Sequence, residues 1–193
     1  VVGEAFNGND VDVALVRYNT DGSRDSAFSS DGKTTTQVNG SHDYGNSVAV
    51  LPSGKILVGA SINNVPGYDF GLLRYNADGS LDTGFDSDGV VLTSFGEHDF
   101  VTSMSVQSNG KIVLAGFTYE FVAEPNYEFA LARYLSNGQL DTTFDTDGKV
   151  ITSVGASPTS TDLAYGLGIQ SDGKIVAVGY SSTGGNADFA VVR

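Results

Sequence analysis

The residues best suited to chemistry in this chain are paired acids on glycine turns, Asp86-Ser87-Asp88-Gly89 and Asp145-Thr146-Asp147-Gly148. Calcium takes six to eight oxygen ligands, and closely spaced carboxylates on a tight turn can supply several of them. Asp86, Asp88, Asp145 and Asp147 are therefore the candidate ligands for a calcium ion. The pattern is only half of a calcium loop. The full Asp-x-Asp-x-Asp-Gly spacing and the distal Glu are absent, and the corresponding turn near residue 30 has Ser29 in place of the first Asp. An Asp-Gly turn needs no metal to explain it. A plain turn with no cofactor is the expected reading, and calcium is the alternative.

A second grouping is His42-Asp43 and His98-Asp99, in corresponding loops, with Asp162 but no His in the third copy. Such pairs can donate metal ligands or a base, yet no third partner has a recognisable spacing, so a solvated loop is expected. Serines and threonines are plentiful, but none sits in a nucleophile elbow, and there is no phosphate-binding glycine loop or dinucleotide fingerprint. The chain has no Cys, which excludes a thiol nucleophile, a thiolate metal site and a disulfide framework. No enzyme activity is expected. The competing enzyme reading, on carbohydrate or another substrate, would need loop carboxylates converging within about 5–10 Å of each other.

These residues recur with the frame that carries them. Arg17, Arg74, Arg133 and Arg193 return about every sixty residues, in Asp12-Val-Ala-Leu-Val-Arg17, Asp69-Phe-Gly-Leu-Leu-Arg74, Glu128-Phe-Ala-Leu-Ala-Arg133 and Asp188-Phe-Ala-Val-Val-Arg193. The repeats run approximately 12–68, 69–127 and 128–187, with 188–193 opening a fourth and 1–11 closing a preceding one. A residue present in every copy is expected to serve the scaffold. The arginines share a strand face with Phe and Leu, so a buried guanidinium there needs a partner. Asp25, Asp82 and Asp141 are the nearest candidates, and a ring of arginines binding an anion is the alternative.

Within each repeat the side chains alternate with period two. Phe129, Leu131 and Arg133 share one face, and Ala130, Ala132 and Tyr134 the other, as in a strand covered on both sides. Turns follow at Asp21-Gly22, Asp78-Gly79 and Asn137-Gly138, strong hairpin signals. A further hairpin is predicted from Ser47–Val50 to Lys55–Val58, with counterparts at 103–114 and 166–177. No stretch keeps a 3.6-residue period. The fold class is all-β, a propeller-type array of about three blades with four to five short antiparallel strands each.

The combined pattern Phe-Ala-Leu-x-Arg-Tyr-x-x-Asp/Asn-Gly-x-Leu-Asp-Thr-x-Phe-Asp-x-Asp-Gly-Lys-Val, followed by Gln-Ser-Asp/Asn-Gly-Lys-Ile-Val, resembles the delta-60 repeat. The resemblance spans essentially the whole chain and departs most in the first copy, at Arg24, Ser29 and Leu51-Pro52. It implies a bacterial, mostly exported, tandem-repeat β-propeller with no established chemistry. An extracellular or cell-surface structural or binding scaffold is the expected function.

The formal charge of −13 makes nucleic acid a poor partner, and no run is apolar for long enough to insert in a membrane as a helix. A protein or glycan ligand would meet the stretches that vary most between copies, Ile62–Tyr68, Thr118–Tyr127 and Ala156–Leu163. Tyr119, Phe121 and Tyr127 either form a contact surface there or pack onto the blade. Val1–Arg17 and Ala177–Arg193 also align without a gap, Gly3 on Gly179 and Ala14 on Ala190. That duplication is expected of a segment cut from a longer array. The alternative is self-association, a surface or filament protein that completes blades between chains.

Overall fold

Period-two alternation bounded by Gly turns gives antiparallel strands at each place where the repeat supplies it. The computed structural model describes residues 1–121, 125–155, 157 and 159–193, so parts of two variable stretches (122–124, Ala156 and Pro158) lie outside the described residues. Among the described residues fourteen strands form four blades. Blade 1 is β1 (Val2–Phe6), β2 (Val11–Val16) and β3 (Lys33–Thr36). Blade 2 is β4 (Asp43–Val50), β5 (Ile56–Asn64), β6 (Gly67–Tyr75) and β7 (Val90–Thr93). Blade 3 repeats it as β8 (His98–Val106), β9 (Ile112–Tyr119), β10 (Glu128–Tyr134) and β11 (Lys149–Thr152). Blade 4 is β12 (Thr161–Ile169), β13 (Ile175–Thr183) and β14 (Asn186–Val192).

Every blade is an antiparallel meander. Single parallel pairs, Tyr68↔His98 and Tyr127↔Thr161, tie blade 2 to blade 3 and blade 3 to blade 4. The two complete blades have four strands. The Leu-Asp-Thr segment forms no strand of its own and pairs only through the isolated bridges Tyr75↔Leu81 and Tyr134↔Leu140, because it turns away into the loop that carries Asp82 or Asp141. A repeat counted from Asp69 or Glu128 therefore starts at the third strand of a blade.

The apolar cores lie between blades. Val13, Leu15 and Phe28 of blade 1 pack on Ile56, Val58, Ala60, Ile62 and Leu73 of blade 2. Leu57, Phe70, Leu72 and Phe85 of blade 2 meet Val101, Ile112, Leu114 and Ala130 of blade 3. Val113, Phe129 and Leu131 of blade 3 meet Ala164, Ala177 and Ala190 of blade 4. Each fully buried Leu or Phe contributes about 1.5–3 kcal/mol of transfer free energy, so the faces between blades carry the stability. Polar bonds fix their register. Tyr75 Oη and Tyr134 Oη donate to Thr36 Oγ1 and Thr93 Oγ1 on the outer strand of the preceding blade, each at 2.8 Å. Tyr18, at the same repeat position in blade 1, is 51% exposed against 1% for Tyr75.

A bulge interrupts the first hairpin of blades 2, 3 and 4, and one member of the cross-strand pair beside it is glycine: Gly45↔Ala60, Val101↔Gly116 and Ala164↔Gly179. A Cβ on Gly116 would lie 1.8 Å from the Phe100 carbonyl oxygen, and one on Gly179 would lie 1.9 Å from that of Leu163. Blade 2 places its glycine on the opposite strand and keeps Ala60. Gly116→Ala is expected to cost about 3 kcal/mol through this backbone clash, whereas Ala60→Gly costs about 1 kcal/mol. Thermal melts check the difference, and a Gly116→Ala variant as stable as the parent would contradict the close approach.

Candidate functional site

The recurrent arginines meet the expected aspartates. Arg74 Nε donates to Asp82 Oδ2 at 2.6 Å, Arg133 Nε to Asp141 Oδ2 at 2.7 Å, and Arg17 Nε to Asp25 Oδ2 at 2.8 Å. Each pair joins β2, β6 or β10, at its C-terminal end, to the loop that follows it. Each guanidinium also lies over a ring of that loop: Phe85 at 4.2 Å, Phe144 at 4.5 Å and Phe28 at 4.8 Å. The guanidiniums reach the next blade as well. Arg74 Nη1 donates to Ser136 O at 2.8 Å, and Arg17 makes the same bond to Ala77 O.

Sequence reading missed a third member. Lys55 and Lys111, which open the second strands, donate to the same oxygens of Asp82 and Asp141. Their fixed place in the repeat was the available signal. Lys55 first, then Arg74, holds the Asp82 carboxyl below its usual range. Lys111 and Thr143, with Arg133, hold the Asp141 carboxyl well below that range too. These ion pairs are saturated by neighbours in the frame.

The candidate calcium ligands occupy two corresponding turns, Asp86 and Asp88 in blade 2, Asp145 and Asp147 in blade 3, all exposed. Asp88 Oδ1 accepts the Val90 N–H at 2.9 Å and Asp147 Oδ1 that of Lys149 at 2.9 Å, so one carboxylate oxygen in each pair closes its own turn. Asp86 and Asp145 have φ of 46° and 45°, in the left-handed region that Asp tolerates well. Among the described residues no group of three or more His, Asp or Glu side chains could hold a metal ion. A chelator is expected to leave the melting temperature unchanged. A fall reversed by added calcium would assign the ion to these turns.

The His-Asp loops differ from the solvated segments expected of them. Asp43, Asp99 and Asp162 are fully buried. Each carboxylate binds the loop that leads into its blade: Asp43 accepts from Val38 N at 2.7 Å, Asp99 from Phe95 N at 2.6 Å and Asp162 from Val154 N at 2.7 Å. The physical reason is that a loop crossing from one blade to the next buries N–H groups that need an acceptor. Burial, helped by Asp12 and Asp10, raises the Asp43 carboxyl to about 6. Burial also raises Asp99, whereas at Asp162 the hydrogen bonds from Ser181, Gly155, Val154 and Ser160 outweigh burial and lower it.

At the same end of the blades the structure assembles a row of rings. Tyr68 lies 5.9 Å from Tyr44 and 4.9 Å from Phe100. His98 stacks on Tyr119 at 4.9 Å with 12° between planes, and Tyr119 lies 4.5 Å from Tyr127. Phe121, 78% exposed, flanks His98 at 5.8 Å. Gly67 permits the crowding, since a Cβ there would lie 1.5 Å from the Glu97 carbonyl oxygen. Tyr119, Phe121 and Tyr127 thus lie side by side in this row. The sequence did not reveal that Tyr44, Tyr68, His98 and Phe100 continue it across two blades, because Tyr68 meets His98 and Phe100 only where the blades pack. Apart from Phe121 these rings are half-buried.

No curated protein matches the sequence. A family described as a domain of unknown function (DUF5122) beta-propeller matches residues 1–28, 51–85, 107–144 and 170–193. The two middle segments each contain a complete Lys–Arg–Asp–Phe set, Lys55 to Phe85 and Lys111 to Phe144. Asp86, Asp88, Asp145 and Asp147 fall just outside the matched residues, as do the His-Asp loops. With more than half of its residues inside the four matched segments, the chain belongs to this beta-propeller family of unknown function.

Proposed function

We propose that the chain is a non-catalytic, exported scaffold of delta-60-like propeller repeats, which presents the aromatic end of its blades as a contact surface for a glycan or protein. One contrast carries the reading: the recurrent charged groups are neutralised inside the frame, while the row of rings from Tyr44 to Tyr127 is only half-buried and Phe121 beside it is exposed. Aromatic rings supply large, rigid contact area at small entropic cost, and they stack well on sugar faces and on apolar side chains. The acidic, cysteine-free composition suits an exported protein. Retention on columns of insoluble polysaccharides tests the glycan arm, with Tyr119→Ala/Phe121→Ala expected to elute earlier than the parent. Retention unaffected by these substitutions would remove the row as the contact surface. A screen with chromogenic glycosides and esters is expected to give no turnover, and turnover by the folded chain would overturn the non-catalytic reading.

A further inference from the structure

Positive charge is confined to one end of the blades. Lys55, Lys111 and Lys174 stand just before β5, β9 and β13, and Arg17, Arg74, Arg133 and Arg193 stand at the C-terminal ends of β2, β6, β10 and β14. Strand register puts these positions together, with Ile56 opposite Tyr75 and Ile112 opposite Tyr134. Lys33 and Lys149 open β3 and β11 opposite Val16 and Ala132, and Arg24 bridges Tyr18. The ring row of blades 2 and 3 lies at the other end, where Asn63 pairs with Tyr68 and Tyr119 with His98. The intervals that carry the row, 34–54, 56–73, 75–110 and 112–132, contain no Lys or Arg.

Carboxylates remain there without a counter-charge. Glu97 and Glu120 are exposed beside Phe121, whose N–H donates to Glu97 Oε2 at 2.8 Å. Asp43, Asp69 and Asp99 are buried next to Tyr44, Tyr68 and Phe100 in the chain. Among the described residues none of these five acids forms an ion pair. Burial first, and then the charges of Asp12 and Asp10, raise the Asp43 carboxyl, and burial followed by the charge of Asp69 raises that of Asp99. A cation on the row gains both from the ring quadrupoles and from this negative field. The frame holds its own cations in the same way, with the guanidiniums of Arg17, Arg74 and Arg133 each between an Asp carboxylate and a Phe ring.

We propose that the partner of the aromatic row is a cationic, extended protein segment whose Arg or Lys side chains seat on the rings. Tyr44 and Phe100 hold equivalent repeat positions, as do Tyr68 and Tyr127, so blades 2 and 3 each offer a platform. Ring centres step by 4.9 Å from Tyr68 to Phe100 and by 6.2 Å from Phe100 to Tyr119. An extended strand sets the side chains of one face about 6.6 Å apart, which matches that spacing. A single ammonium group would meet only part of a row that crosses two blades. The inference rests on the contact-surface reading of this end and adds the charge of what it contacts.

The probe is a fluorescent dodecapeptide of alternating Arg and Ser, titrated with the chain by anisotropy at about 0.15 M ionic strength, where distant surface charges are screened. Binding is expected, and none to the same peptide with citrulline in place of Arg. Tyr119→Leu/Phe121→Leu keeps the net charge and should weaken binding about tenfold. Should that pair lose its melting transition, Phe121→Leu alone, at a ring 78% exposed, is expected to weaken it about threefold. Glu97→Gln/Glu120→Gln should also weaken binding, whereas Asp86→Asn/Asp145→Asn, on exposed turns at the opposite end, removes as much charge and should leave it unchanged. An Arg peptide that fails to bind, or a citrulline peptide that binds as tightly, would overturn the proposal. So would ring variants that bind like the parent while both acid pairs weaken binding equally, the signature of a diffuse field. Row-dependent retention on polysaccharide without binding of the Arg peptide would leave the contact surface standing and remove its cationic partner.

Discussion

Arg74→Met is expected to destabilise the chain by about 3 kcal/mol, the lower end of the range for breaking a buried ion pair, because Lys55 remains to hold Asp82. In a chain of this length that corresponds to a fall of roughly 6–12 °C in melting temperature. Three contacts go together: the bond to Asp82, the stacking over Phe85 and the bond to Ser136 O of the next blade. The same substitution should cost less at the other two positions. Among the described residues Arg133 makes no bond to a backbone carbonyl of another blade, and it donates to Thr143 Oγ1 at 3.2 Å. Arg17 is more solvent-exposed, with 33% of its side-chain surface accessible against 13% for Arg74, so its pair is more screened. The predicted order of loss is Arg74, then Arg133, then Arg17. An Arg74→Met variant with unchanged melting would release the arginines from the frame and favour the anion-binding alternative.

The frame was legible because its causes are local. Alternation in Phe129–Tyr134, the Asn137-Gly138 turn and the Lys111 hairpin each declare themselves within a few residues, and tandem repetition confirms each reading. The Arg–Asp pairing was legible too, since Arg133 and Asp141 are close in sequence and recur together. What sequence could not convey depends on blades meeting. Asp43, Asp99 and Asp162 look like polar loop residues, and their burial follows only from loops that cross between blades. The same holds for the ring row, in which Tyr68 of blade 2 and Phe100 of blade 3 are far apart along the chain yet 4.9 Å apart in space. The extra lysine was missed for a different reason. A charged residue opening an exposed hairpin gives no sign that its ammonium group folds back on an aspartate one strand away.

Blade stacking is what turns these repeats into one body, and three equivalent phenylalanines test it. Phe70 and Phe129 are enclosed between blades, whereas Phe189 contacts nothing that covers it. Phe→Ala in a closed core costs about 3–5 kcal/mol, lost burial and cavity together, and an uncovered ring should cost almost nothing. The decisive measurement is the melting temperature of Phe70→Ala, Phe129→Ala and Phe189→Ala, taken at a concentration where each has the mass of a single chain. The account predicts large, similar losses for the first two and no change for the third. Equal losses at all three positions, or none at Phe70 and Phe129, would contradict the stacked-blade architecture.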